Sequence, residues 1–349
     1  MPGSSESRTK SIELADAAML TVAVLWASNN VITKAALDRG LEPLLYIVLR
    51  FALVAVLLFP YLWARGVSLR IRRADIPRFV GGGLCGFALY NLLYVVGLSH
   101  TSAFSAAILV SLAPIFMLLL SAVFGLEPVQ RLQWIGVAVS FLGVAIFIGD
   151  KLLAGEPATG DLLNVIAALS FSIYSLTTRP LVLRYGPETT TAWAVVVGLV
   201  AVLPFTASTL RQEQWGDVTG FEWFSIAWAA IVSVMIGYSL WGWAIARAGA
   251  GRSVPYLFLI PVFTGVFSVI FRGERLGAAQ VIGGAVALTG VAIARRFARP
   301  SDRIGRGSGN IGRSSRSGTE AGSRARTIGG KDLDAVRVDR QTGNQGQAL

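Results

Sequence analysis

Residues 103–146 read AFSAAILVSLAPIFMLLLSAVFGLEPVQRLQWIGVAVSFLGVAI, and residues 250–293 read AGRSVPYLFLIPVFTGVFSVIFRGERLGAAQVIGGAVALTGVAI. Laid on each other at a constant offset of 147, the two stretches need no gap, and 16 of the 44 positions are identical. The identities include Pro114/Pro261, Phe116/Phe263, Glu127/Glu274, Gln133/Gln280, Gly136/Gly283 and Gly143/Gly290. The chain therefore holds two copies of one apolar unit, and that duplication frames every other residue.

The rest of the chain says what kind of unit is repeated. Hydrophobic residues make up 54% of the 349 and charged residues 15%, with a mean hydropathy of +0.61; a soluble domain carries about 25% charged residues. The charges cluster between apolar stretches of about 20 residues, enough to cross a hydrocarbon core of roughly 30 Å. Ten such segments are expected, at 14–36, 44–64, 76–98, 102–124, 132–149, 161–181, 189–210, 223–246, 253–271 and 278–295. The fold class is thus an all-α integral membrane protein of ten transmembrane helices in two five-helix repeats. Five is odd, so the second repeat is inverted relative to the first.

The chain is expected to divide into a cytoplasmic N-terminal segment (1–13), a first repeat (14–149), a second repeat (161–296) and a disordered cytoplasmic tail (300–349). The tail is rich in Gly, Ser, Arg and Gln and poor in the large apolar residues that would offset ordering entropy. The net charge of +11 lies mostly in loops and tail, where Lys and Arg set topology, so nucleic acid is not an expected partner. Positive-inside counting places both termini in the cytoplasm. The first apolar run is too long for a signal peptide and lacks a cleavage signature. Cys85 is the one cysteine, so no disulfide can form within the chain.

Polar residues inside apolar helices are the candidates for chemistry, because lipid leaves their hydrogen bonds unmet. In the first helix Trp26, Asn30, Thr33 and Lys34 share a face, with Asn29 at its border. At an offset of 145 the sixth helix repeats this as Phe171, Tyr174, Ser175, Thr178 and Arg179. In the third and eighth helices Asn91 and Tyr94 match Tyr238 and Trp241 at the 147 offset, with Tyr90 flanking the first pair. Together they propose one amphiphilic vestibule shared by both halves. Aromatic rings with a polar edge suit a site that grips and releases an organic solute; the same residues also serve helix packing and interfacial belts.

Lys34 and Arg179 are read either as snorkelling to the interface or as gating groups at opposite mouths. Arg50 has no basic counterpart in the second half, and a structural role towards backbone carbonyls at the first turn is expected of it. Pro114 and Pro261 are expected mid-helix, as kinks that are either static or hinges. Small residues on helices five and ten (Gly136, Gly143, Gly283, Gly290) allow close packing and a homodimer contact. Glu127 and Glu274 are expected to cap the following helices. No Asp or Glu lies mid-depth in a helix, and His100, the only histidine, falls in a turn. No catalytic set, nucleotide loop or metal-ligand cluster is visible, so neither an enzyme nor a metal or cofactor site is expected.

The stretches WASNNVITKAAL and YIVLRFAL, with the repeated GLSHTSAFSAAILVSLAPIFMLLLSAVFGLEP and AIARAGAGRSVPYLFLIPVFTGVFSVIFRGERLGAAQVIGG, resemble the EamA family of the drug/metabolite transporter superfamily. The resemblance covers roughly residues 14–296. It implies a central cavity framed by helices one, three, four, six, eight and nine. Carried over, the cavity-facing candidates are Trp26, Asn29, Asn30, Asn91, Tyr94, Ser111, Tyr174, Ser175, Tyr238, Trp241 and Tyr256. The sixth helix has Leu169-Ser170-Phe171 where members often carry a Trp. The expected function is alternating-access transport of a small polar or amphipathic metabolite, an exported amino acid or relative being favoured, across a bacterial inner membrane. A proton-coupled multidrug exporter is the alternative, although no first-helix glutamate stands where the four-helix exporters use one. A membrane scaffold or sensor is the remote one. The expected partners are the small-molecule substrate and the lipid bilayer.

Overall fold

The computed structural model describes residues 3–126, 129–212, 215, 218–248 and 254–296; the 300–349 tail and Glu127 lie outside them. The described residues form ten membrane-length helices in two inverted repeats. The first repeat comprises α1 (Glu13–Leu37), α2 (Pro43–Ala64), α3 (Arg73–Ser99), α4 (Ala103–Val123) and α5 (Arg131–Leu153). The helical run Thr159–Gln212 holds two crossings, because Gly186 leaves helical geometry at φ 83° and ψ 162°. We call them α6 (159–185) and α7 (187–212). α8 (Gly220–Ala244), α9 (Pro255–Arg272) and α10 (Ala278–Arg296) complete the second repeat. The helix of α1 extends back to Gly3 through the polar N-terminal residues.

Local chemistry sets the helix ends. Glu42 caps α2, its Oε2 accepting from the Leu45 amide at 2.7 Å, with Pro43 in the first turn, where a missing N–H costs nothing. Of the two glutamates expected to cap, Glu127 lies outside the described residues, and at Glu274 the expectation is corrected: the repeated glutamines bond the amides before the next helix. Gln133 Oε1 accepts from the Gln130 amide at 2.8 Å, and its mate Gln280 accepts from the Gly277 amide at 3.2 Å. Glu274 instead takes Arg272 Nε at 2.9 Å.

The prolines also differ from expectation. α4 is interrupted by a turn at Ser111–Leu112, and Pro114 lies in the first turn of the restarted helix Ala113–Val123. Likewise α9 opens as a 3-10 segment, Val254–Phe258, and Pro261 falls in the first turn of Leu259–Arg272. A proline lacks a donor and clashes with the preceding turn, so the chain breaks before each proline instead of bending through it.

α5 and α10 close-pack within the chain. A Cβ on Gly143 would lie 2.3 Å from the Ala287 nitrogen, and one on Gly290 would lie 2.3 Å from the Ser140 nitrogen. Ser140 Oγ donates to the carbonyl of its own repeat mate, Ala287, at 3.1 Å. The small-residue faces are therefore occupied inside one chain, and a dimer contact through these helices would have to use their outward faces. A second core cluster joins α2, α3, α7 and α8 around Leu45, Tyr46, Ile47 and Leu98.

Candidate functional site

The candidate residues gather where α1 meets α3 of its own repeat and α8 and α9 of the other. Two stretches of wider π-helix lie at matching places, Leu84–Leu89 in α3 and Trp228–Gly237 in α8; shifted by 147, the first falls inside the second. Such turns misalign the backbone ladder and are frequent at functional sites. In both, side chains reach in to use the carbonyls. Asn91 Nδ2 donates to Phe87 O at 3.0 Å and to Gly86 O at 3.4 Å, and Ser170 Oγ donates to Cys85 O at 2.7 Å. In α8 the indole of Trp26 donates to Ser233 O, the repeat mate of Gly86 O, at 3.0 Å. Glycine lets a ring close on each stretch: a Cβ on Gly86 would lie 2.2 Å from the Tyr174 ring, and one on Gly237 would lie 2.6 Å from Trp26 Nε1.

Several sequence candidates converge. Asn30 donates through Nδ2 to Thr264 Oγ1 at 3.3 Å, and its Oδ1 accepts the Tyr94 hydroxyl at 2.7 Å, so α1 links α3 to α9. Trp26 lies 5.8 Å from Trp241, which packs with Tyr256 against Ala15, Met19 and Ala244. Tyr94 stacks on Tyr90 at 5.8 Å, Tyr90 meets Phe171 at 5.2 Å, and Phe171 meets Tyr174 at 5.7 Å. Asn29 is buried, and its Oδ1 has no hydrogen-bond partner among the described residues. Ser111 and Ser175 spend their hydroxyls within their own helices, on Ala107 O at 2.7 Å and Phe171 O at 2.8 Å. Tyr238 opens the α-helical end of α8, but its side chain lies outside the described ones.

Arg50 is the residue the sequence reading undervalued. It does not bond backbone at the α1–α2 turn; its Nη2 donates to Asn91 Oδ1, and its Cζ lies 5.2 Å from the Tyr46 ring centroid and 5.1 Å from that of Phe51. Tyr46 in turn shares a hydrogen bond with Thr33 of α1 at 2.8 Å. An arginine inside an apolar segment was the available signal.

Ion pairs tie both ends of the bundle. At one end Lys34, 8% exposed, donates to Ser99 O at 3.1 Å and pairs with Asp38 at 2.8 Å. Asp38 also accepts Arg272, which joins α1 to α9. At the other end Asp75 of α3 accepts Tyr185 Oη at 2.5 Å and Arg184 Nη1 at 2.7 Å from α6. The repeat mates of Asp75 and Arg184 are Glu222 and Arg39, and the Arg39 guanidinium lies 3.7 Å over Phe221, beside Glu222. Arg179, unlike its mate Lys34, is exposed. Pro114 and Pro261 sit at the helix breaks described above.

A cavity of about 300 Å³ lies elsewhere, between α2, α3 and α7. Its lining is apolar apart from Cys85, so it offers nothing to orient a polar solute. No group of three or more His, Cys, Asp or Glu that could hold a metal occurs among the described residues.

Known proteins place this architecture. A crystallographic structure shares the fold, with a TM-score of 0.54 and 21% identity over 85% of this chain and 99% of the other. An uncharacterized transporter of Archaeoglobus fulgidus is 29% identical over 74% of this chain and 90% of its own. A probable terminal-alkyne amino-acid exporter of Streptantibioticus cattleyicolor is 28% identical over 80% of this chain and 92% of its own. A probable amino-acid metabolite efflux pump of Salmonella typhimurium is 28% identical over 78% and 92%. The model of the EamA-like transporter family matches twice, at residues 13–149 and 158–296, and the chain belongs to that family.

Proposed function

We propose that this protein exports a small polar or amphipathic metabolite, an amino acid or a close relative, across the bacterial inner membrane by alternating access. Both termini then lie in the cytoplasm, with the Lys34–Asp38–Arg272 end outside and the Asp75–Arg184 end inside. The observation that carries this reading is the meeting of the two repeats at α1. Trp26 reaches Ser233 of α8, and Asn30 reaches both Tyr94 of α3 and Thr264 of α9. Neutral amides and hydroxyls orient a polar group, and the rings of Trp26, Trp241 and Tyr90 cover an apolar one. Ion pairs at each mouth can open in turn, and the helix breaks before Pro114 and Pro261 supply places for the backbone to bend. The names of the relatives support an amino-acid cargo and the outward direction.

Counterflow of labelled amino acids in proteoliposomes tests this, with nucleosides, sugars and cationic dyes as controls. Saturable exchange of amino acids, lost in Asn30→Ala/Trp241→Ala, is expected. Exchange of dyes alone, driven by an imposed pH gradient, would favour the multidrug alternative.

A further inference from the structure

Arg50 is a charged side chain in the interior of the bundle, without a counter-ion among the described residues. It is 8% exposed, inside the membrane-spanning α2, and no ion pair formed among the described residues includes it. A guanidinium has five N–H donors, yet among the described residues its one hydrogen bond runs from Nη2 to Asn91 Oδ1, and its buried Nε finds no partner. A buried, under-satisfied cation is costly in a membrane and is retained where it has work to do.

Its surroundings hold it ready. Asn91 cannot turn its amide over: Nδ2 is committed to Phe87 O and Gly86 O in the π stretch, so Oδ1 must face the guanidinium. The rings of Tyr46 and Phe51 lie within 5.2 Å of Cζ and stabilise the charge without neutralising it. Tyr94, one turn along α3 from Asn91, packs in the same cluster and carries the Asn30 hydrogen bond of the proposed site. The matching region of the second half, residues 192–198, reads AWAVVVG, so the cation has no repeat mate. A single guanidinium matches a monoanion, and its planar fork matches a carboxylate.

We propose that Arg50 anchors the carboxylate of the transported solute, with Asn91 as the residue that positions it. This rests on the transporter reading above and gives it a substrate class: solutes bearing one carboxylate, in preference to their amides, amines or phosphate esters.

The test compares wild type, Arg50→Gln and Arg50→Lys on an amino acid, its carboxamide, its decarboxylated amine and a phosphate monoester. Binding is read as thermal stabilisation of the purified full-length protein in detergent, and flux separately by counterflow. Wild type should prefer the acid. Arg50→Gln should weaken acid binding roughly ten- to a hundred-fold, the value of a hydrogen bond to a charged group, and leave the carboxamide within about threefold. Arg50→Lys should fall between, since it keeps the charge and loses the fork. Equal weakening of acid and amide, as a merely structural arginine would give, overturns the proposal. So does a wild type stabilised by no carboxylate, or one that prefers the phosphate ester. Acid binding through Arg50 without flux would keep the anchor and overturn the transporter reading instead.

Discussion

The indole Nε1 of Trp26 in the first repeat donates to the carbonyl oxygen of Ser233 in the second, 3.0 Å away, at the π stretch of α8. The equivalent carbonyl of the first repeat, Gly86 O, is used by Asn91 from within its own helix. One half thus satisfies its misaligned backbone locally, while the other borrows a side chain from across the repeat boundary. Replacing Trp26 by Phe keeps the ring against Trp241 and removes the donor. The expected result is a loss of about 1 kcal/mol of stability, measured by thermal unfolding in detergent, with a larger proportional loss of flux.

Asp38 serves two cations, Lys34 and Arg272. Asp38→Asn takes the counter-charge from the buried Lys34 and leaves Arg272 with Glu274. Arg272→Gln leaves Asp38 still paired with Lys34. The first variant should therefore unfold earlier than the second, by about 1 kcal/mol or more. Equal melting temperatures would show that the Asp38–Arg272 contact carries the energy by itself.

The α5–α10 seam leaves no room for a side chain at Gly143. Gly143→Leu would drive a Cβ to within 2.3 Å of backbone nitrogen and should cost about 3 kcal/mol, seen as loss of monodisperse protein on gel filtration. Gly149, on the same helix, has nothing within 4 Å of a built Cβ. Gly149→Ala should be neutral or slightly stabilising, by about 0.5 kcal/mol.

Asp161, fully buried at the start of α6, pairs with Lys151 at 2.6 Å and accepts Thr101 Oγ1 at 2.5 Å. Asp161→Asn leaves Lys151, whose side chain is 11% exposed, without its counter-charge. A loss of about 3 to 5 kcal/mol is expected. Asp161→Asn/Lys151→Met should recover part of it in the same unfolding assay, because removing both charges removes the desolvation cost.

Much of this was readable from the chain itself. The ten crossings follow from stretch length against bilayer thickness, and inversion follows from an odd number of crossings per repeat. The face carrying Trp26 and Asn30 follows from helical spacing. The fate of Ser111 and Ser175 was not legible, because a hydroxyl in an apolar helix can bond its own backbone four residues back as easily as it can face a cavity. The kinks expected at Pro114 and Pro261 are helix breaks just before them: proline forbids a continuous helix, and the sequence does not say whether the chain bends through it or restarts.

The sequence by itself determined the membrane class, the duplication and the set of polar residues that lipid cannot accommodate, because these depend on transfer energies and on periodicity along one chain. Only the tertiary structure decided the partners. Arg50 meets Asn91 from 41 residues away, Trp26 meets Ser233 from 207, and Asp38 meets Arg272 from 234. Helix spacing tells which way a side chain leaves its own helix. It does not tell which of nine other helices stands opposite, and that choice is made by the packing of the whole bundle.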